Sequence, residues 1–269
     1  MRAVPTKLFC LAATLLLLAP LPRAWAWGVE GHEVVAALAA RHLTPKATAQ
    51  VAALLGGQPQ AVMIADANWA DEIRDQRPQT ARWHFVNISI SARGYDGRHD
   101  CAGGNCVVAQ IDRDIAVLGN TRLPPARRAE ALRFLIHFVA DVHQPLHTAD
   151  NDDRGGNDIH LRWRGQDMSM HRLWDTEIVE ASGHDPIMLA GRIGAGVPPA
   201  TWRAWQSGTP AAWADQSLHL AQSDVYALTR GRRFFRLDRD YVAREAPVAR
   251  IQLARAAARL AWLLNRTLK

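Results

Sequence analysis

The chain has 269 residues, with 32 Lys and Arg against 26 Asp and Glu, a formal net charge of +6, and 48% hydrophobic side chains. It holds no low-complexity tract, internal repeat or Gly/Ser-rich linker, which excludes a fibrous or disordered chain and favours one large domain with a substantial core. The charge is too mild to establish a polyanionic partner by itself.

The first 26 residues read as a secretory signal. Arg2 and Lys7 give a positive start, Phe9 to Leu21 is an apolar run short for a membrane span, Pro20, Pro22 and Arg23 end it, and Ala24 and Ala26 suit signal peptidase. Cleavage after Ala26 leaves 27–269 as one domain, carrying 29 basic against 26 acidic side chains, a formal charge of +3. It also makes Trp27 the mature N-terminus. A free α-amine has a pKa of about 7.7–8.0, so under a metal's pull it can become a nitrogen ligand beside His32.

Periodicity at three- and four-residue steps predicts helices over 31–43, 45–55, 63–76, 106–119, 125–144, 171–181, 211–229 and 240–267. Between them, Arg82 to Ser91 alternates like a strand, and Ile159 to Ser169 reads as a hairpin turning at Arg164-Gly165-Gln166-Asp167. The fold class is therefore mainly α. Cys101 and Cys106 read as a disulfide in an exported chain, with zinc as the competing use of the pair. Val248 to Leu264 is apolar on one face and Arg-rich on the other, as in a packed surface helix.

Chemistry concentrates between Asp71 and Asp175. His137 and Asp141 stand four apart on a predicted helix, and His171 and Asp175 repeat that relation. Such pairs share a helix face and can form an ion pair or grip an ion. Two of them amid Phe, Leu, Ile and Trp favour the ion, because an unpaired buried carboxylate is costly. Pro145 breaks the helix after Gln144 and lets His147 turn back as a further ligand, whereas His143 points away and takes a structural role. Asp71 with Arg74 is a candidate site pair as well as an ordinary i,i+3 contact, and His84 stands in the predicted strand.

In order along the chain, Trp27-Gly28…Gly31-His32, Trp69-Ala70-Asp71, His84-Phe85, His137-Phe138-x-x-Asp141, Gln144-Pro145-Leu146-His147, Gly155-Gly156-Asn157 and His171-x-x-x-Asp175 resemble the S1/P1 nuclease family. The resemblance implies a single-domain helical fold, shared with zinc-dependent phospholipase C, that holds three zinc ions. It gives Asp71, His84, His137 and Asp141 to one zinc; the Trp27 amine and carbonyl, His32 and a bridging Asp141 to a second; and His147, His171 and Asp175 to the third. It further implies hydrolysis of single-stranded DNA and RNA to 5′-phosphates, with 3′-nucleotides as further substrates. Arg74 and Asp71 take catalytic roles, Phe85 stacks a base and Asn157 binds substrate. Strict strand alternation would send Phe85 opposite to His84, so that role requires a distorted strand end. A secreted or periplasmic enzyme is expected, with no stable protein partner and no membrane span in the mature chain. A phospholipase C and a non-catalytic periplasmic zinc-binding protein are the alternatives. The His five residues after Trp27 and the closing Asp175 favour the nuclease over the former, and the presence of His32, Arg74 and Asp141 over the latter.

Overall fold

The computed structural model describes residues 27–229, 231–238 and 240–269; the signal-like segment lies outside them. Three helices make the centre. α1 (Val29–Ala40) buries nearly every residue from Gly31 to Ala39, and a helix that is apolar almost all round belongs in an interior. A Cβ on Gly31 would stand 2.7 Å from that of Trp27, so only glycine lets the buried indole fold back on this helix. The other two central helices, α7 (Pro125–Asp141) and α14 (Tyr241–Thr267), both pack on α1.

Around them stand shorter pieces. Thr44 caps α2 (Pro45–Leu55) by accepting from the Ala47 amide at 3.2 Å, and Gly56, at φ 77°, ends it. The stretch predicted as one helix over 63–76 is instead α3 (Pro59–Ala65), α4 (Trp69–Glu72) and a 3₁₀ turn, Ile73–Asp75. The small α5 (Gly97–Asp100) precedes the Cys101–Cys106 disulfide, whose sulfurs are 2.01 Å apart, and α6 (Val107–Gly119) follows it and packs along α7.

The predicted hairpin is present. β1 (His160–Trp163) pairs antiparallel with β2 (Gln166–Ser169) across Arg164 and Gly165, both at positive φ. Next comes one helical segment whose middle is wound as a π-helix: α8 (Met170–Arg172), Leu173–Glu177 and α9 (Ile178–Glu180). The predicted 211–229 helix is divided in the same way, into α12 (Pro210–Leu220), a π segment Ala221–Tyr226 and α13 (Ala227–Thr229). Besides α5, the sequence reading missed α10 (Pro186–Ala195), α11 (Pro199–Trp205) and β3 (Phe234–Arg236), which pairs parallel with β1. They are short, and β3 finds its partner more than seventy residues upstream, beyond the reach of local periodicity.

One expectation fails. Arg82 to Ser91 is not a strand: Pro78–His84 is a 3₁₀ helix and the chain beyond it is extended, joined to Asp150 only by an isolated bridge at Ser89. Pro78 starts this helix at a position that needs no N–H partner, and that local choice outweighs the alternating pattern. No helix among the described residues is long and apolar enough to cross a membrane.

Candidate metal centre

The C-terminal turns of α7 place His137 and Asp141 one above the other, both sealed from solvent. The helix ends at Asp141, three residues before the predicted end, because Gln144 must be extended ahead of Pro145. A 3₁₀ turn, Pro145–His147, then carries His147 back, and its Nδ1 donates to the His84 carbonyl at 2.7 Å. His84 is the last residue of its own 3₁₀ helix, and Phe85 follows in extended conformation, so no strand alternation separates the two. Both line the same cavity, of about 320 Å³, together with Arg74, His147, His171 and Asn157.

Four groups converge at the foot of this cavity. His84 Nδ1 lies 3.1 Å from His137 Nε2, 3.1 Å from Asp141 Oδ2 and 3.5 Å from Asp71 Oδ1, while His137 Nε2 is 3.3 Å from Asp141 and 3.6 Å from Asp71. The Nδ1–H of His137 is committed to the Ala67 carbonyl at 2.7 Å, which leaves its Nε2 facing the carboxylates. On the other side of Asp141, His32 Nε2 stands 3.2 Å from Oδ1, and the His32 ring stacks on His137 at 3.9 Å. The Trp27 indole, fully buried, donates to the carbonyl of Ala140, so Trp27 is tied to the residue before Asp141. The next amide, Gly28, donates to the Asp175 carbonyl at 2.6 Å.

A second grouping lies beside the first. His147 and His171 stack at 5.0 Å, and His171 Nε2 is 3.2 Å from Asp175 Oδ2 across the π-wound turn. That winding adds a residue to the turn and coincides with this grouping, a common place for π-bulges. The Nδ1–H of His171 donates to the Gly155 carbonyl at 2.7 Å, and Gln144 Nε2 donates to the other oxygen of Asp175. Gly155, at φ 62°, could not carry a Cβ, which would come within 2.5 Å of the Leu146 carbonyl.

Electrostatics divide the two groupings. Burial by itself would raise the Asp141 carboxyl, but the charge on His137 and bonds from three histidines hold it well below the usual carboxylate range. Burial likewise opposes a charge on His137, yet Asp141 and Asp71 push it up to about 9. In the second grouping desolvation outweighs the contacts that oppose it. Burial drives Asp175 well above its ordinary value against the Gln144 bond, and burial with the neighbouring His147 lowers His171 to about 3. Such a site is starved of positive charge.

The polar atoms left over fit a metal. Asp71 Oδ2, His147 Nε2, Asp175 Oδ2 and His32 Nδ1 are buried without a hydrogen-bond partner, a costly condition that a cation relieves. His32, His137 and Asp141, then Asp71, His84 and His137, then His147, His171 and Asp175 each present ligand atoms within 4.8 Å of one another, all buried. Imidazole and carboxylate are donors that suit zinc. A further grouping, Glu30, Glu180 and His184, is partly solvated and has no such orphaned atoms.

At the rim, Arg74 donates to Asp71 Oδ1 at 3.1 Å while its side chain stays 32% exposed to the cavity. Asn157 donates to the Arg154 carbonyl at 2.9 Å. Gln144, Arg82 and Arg154 were given no site role in the sequence; Gln144 was visible there as the residue before a helix-breaking proline and as the first residue of the Gln144-Pro145-Leu146-His147 motif. His143 points away from all of this, as its place on the helix predicts.

The S1/P1 Nuclease family profile matches residues 27–269. The chain is 30% identical to Endonuclease 3 of Arabidopsis thaliana over 264 residues, covering 89% of this chain and 88% of that one. It is 28% identical to Nuclease S1 of Aspergillus oryzae over 284 residues, 96% of each chain. Identity to Nuclease P1 of Penicillium citrinum is 32%, over 155 residues that make up 56% of this chain and 57% of that one.

Proposed function

The chain belongs to the S1/P1 nuclease family, endonucleases of the hydrolase class, and on that premise we propose that it is a trinuclear zinc phosphodiesterase. Its substrates are single-stranded DNA and RNA, cleaved to 5′-phosphate products, and 3′-nucleotides. Asp71, His84, His137 and Asp141 hold one ion; the Trp27 terminal amine and carbonyl, with His32 and a bridging Asp141, hold a second; His147, His171 and Asp175 hold the third. The observation that supports this reading is that the seven histidine and aspartate side chains of the first and third sets, with His32, fall into three buried groupings, His32/His137/Asp141, Asp71/His84/His137 and His147/His171/Asp175, with orphaned atoms among them that a cation would relieve.

When bound, zinc supplies positive charge that acidifies a water and neutralises a phosphate oxygen. The protein does the rest by placement. Carbonyls of Ala67, His84 and Gly155 each take one Nδ1–H, which fixes the tautomers of His137, His147 and His171 and turns their other nitrogens inward. The Arg74 guanidinium, hydrogen-bonded to Asp71 on the cavity wall, would stabilise the charge that builds on phosphorus. Phe85 on the cavity wall stacks a base freed from a duplex, which favours single strands, and Asn157 contacts the nucleotide.

The terminal amine exists only after cleavage behind Ala26, so the reading includes export to the periplasm or the medium. Metal analysis of the mature protein should give about three zincs per chain. A chelator should abolish cleavage of single-stranded DNA, and added Zn²⁺ should restore it with 5′-phosphate ends. Full activity at one zinc or none would overturn the proposal.

A further inference from the structure

The outer face of the three-stranded sheet carries an aromatic pair that the core does not need. Phe234 is 75% exposed, and its ring stacks on the exposed His160 at 5.2 Å and 21°. The register explains the pair: His160 stands opposite Phe234 across the parallel β1–β3 ladder, so both project to the same side. Two residues along, Arg162 stands opposite Arg236, also exposed. Leu161 and Met168, on the other side of the sheet, are buried. One face therefore holds the sheet to the core, and the other presents two stacked rings beside two guanidinium groups.

The contacts that hold those cations are exposed. Arg162 donates from Nε and Nη2 to the Gly165 carbonyl at 3.3 Å and meets Asp167 at 3.5 Å with both side chains well exposed, where an ion pair contributes little. Among the described residues no carboxylate engages Arg236. An exposed phenylalanine has no hydrophobic reason to be there, and its neighbours are charged rather than apolar, unlike the centre of a protein–protein contact.

We propose that this face is a platform for the substrate strand outside the catalytic cavity: Phe234 and His160 stack an unpaired base, and Arg162 and Arg236 hold the phosphates beside it. Bases stack on aromatic rings whatever their identity, and phosphates match the guanidinium charge. The platform lies near the cavity. Asn157, on the cavity wall, precedes His160 by three residues, about 10 Å of extended chain at most. The assignment rests on the nuclease reading above and adds to it a preference for longer strands.

The experiment compares wild type, Phe234→Ala, Phe234→Trp and Arg236→Ala on a single strand of about 20 nucleotides and on a dinucleotide. It also measures binding of a dye-labelled, hydrolysis-resistant phosphorodithioate strand by fluorescence anisotropy. Phe234→Ala should raise KM for the long strand about tenfold, equivalent to about 1.4 kcal/mol, with kcat and the dinucleotide unchanged. Phe234→Trp should preserve or tighten long-strand binding, and Arg236→Ala should weaken it while flattening its salt dependence. Equal effects on both substrates, or none on strand binding, would overturn the platform. If wild type binds the strand without cutting it and Phe234→Ala loosens it, the nuclease reading fails and the platform stands.

Discussion

His137 and His143 stand six residues apart at the end of one helical stretch, and neither has any exposed surface. Each gives Nδ1–H to a backbone carbonyl at 2.7 Å, Ala67 for His137 and Val139 for His143. They part at the second nitrogen. Nε2 of His137 faces two carboxylates and another imidazole nitrogen, whereas Nε2 of His143 accepts from Arg259 Nη1 at 2.7 Å. Burial and the Arg259 charge hold His143 well below its ordinary pKa, so it remains a neutral acceptor. Burial alone does not mark a ligand. A second nitrogen aimed at carboxylates does, and one closed by a protein donor marks a strut.

The largest break in that comparison is at Asp141. Asp141→Asn removes the negative charge proposed to hold two ions together, so hydrolysis should fall to near background with loss of at least one zinc per chain. Metal analysis beside a single-stranded DNA assay checks it, and a fully loaded, active variant would remove the bridge. The mature end comes next. A chain starting Met-Trp27, or one with an uncleaved extension, has an amide where the proposed amine ligand stands, and should fold yet carry about one zinc fewer and lose most activity. Intact mass must establish the N-terminus of each form. A tag beyond Lys269 should have no effect.

Arg74→Ala and His143→Ala sharpen the contrast. Loss of the Arg74 donors should lower turnover about 10²–10³-fold with the zincs retained, the usual cost of one transition-state donor. His143→Ala should keep both zinc and turnover within a few-fold but lower stability by about 2 kcal/mol, because Nη1 of the buried Arg259 loses its acceptor while Nη2 keeps Gln216. If His143→Ala emptied the centre while Asp141→Asn did not, the two roles would have to be exchanged.

Much of this was legible in the sequence because helices write their geometry locally. The four-residue spacing of His137 and Asp141 put them on one face, and Pro145 announced the turn that returns His147. The closing helix and the Ile159–Ser169 hairpin were equally plain. What stayed hidden depends on distant or very short pieces. His84 and Phe85 share a wall because Pro78 sets a 3₁₀ helix, which an alternating pattern disguised as a strand. The π-wound turn at Asp175 leaves no periodic trace, and β3 exists only through its pairing with β1, so Phe234 looked like any loop residue.

The smallest effect tests whether an orphaned oxygen is by itself a sign of metal. Asp114, on α6, has a buried Oδ2 without a partner, as Asp71 and Asp175 do, but it belongs to none of the clustered histidine and carboxylate groups. Burial pushes its carboxyl up to about 8, with Glu130 adding to the rise and Arg113 opposing it. It answers the lack of a partner with a proton. Because the folded value lies above the ordinary 3.8, the folded chain holds a proton that the unfolded chain releases between those limits. The resulting stability is complete below about pH 4 and disappears as pH rises through about 8. Asp114→Asn, neutral throughout, should escape this loss: its advantage over wild type in thermal melts should grow from pH 5 to pH 8, reach about 1–3 kcal/mol, and then level off. Zinc content and nuclease turnover should not change. Parallel melting profiles across that range would show Asp114 ionised in the fold, and a fall in bound zinc would place it among the ligands.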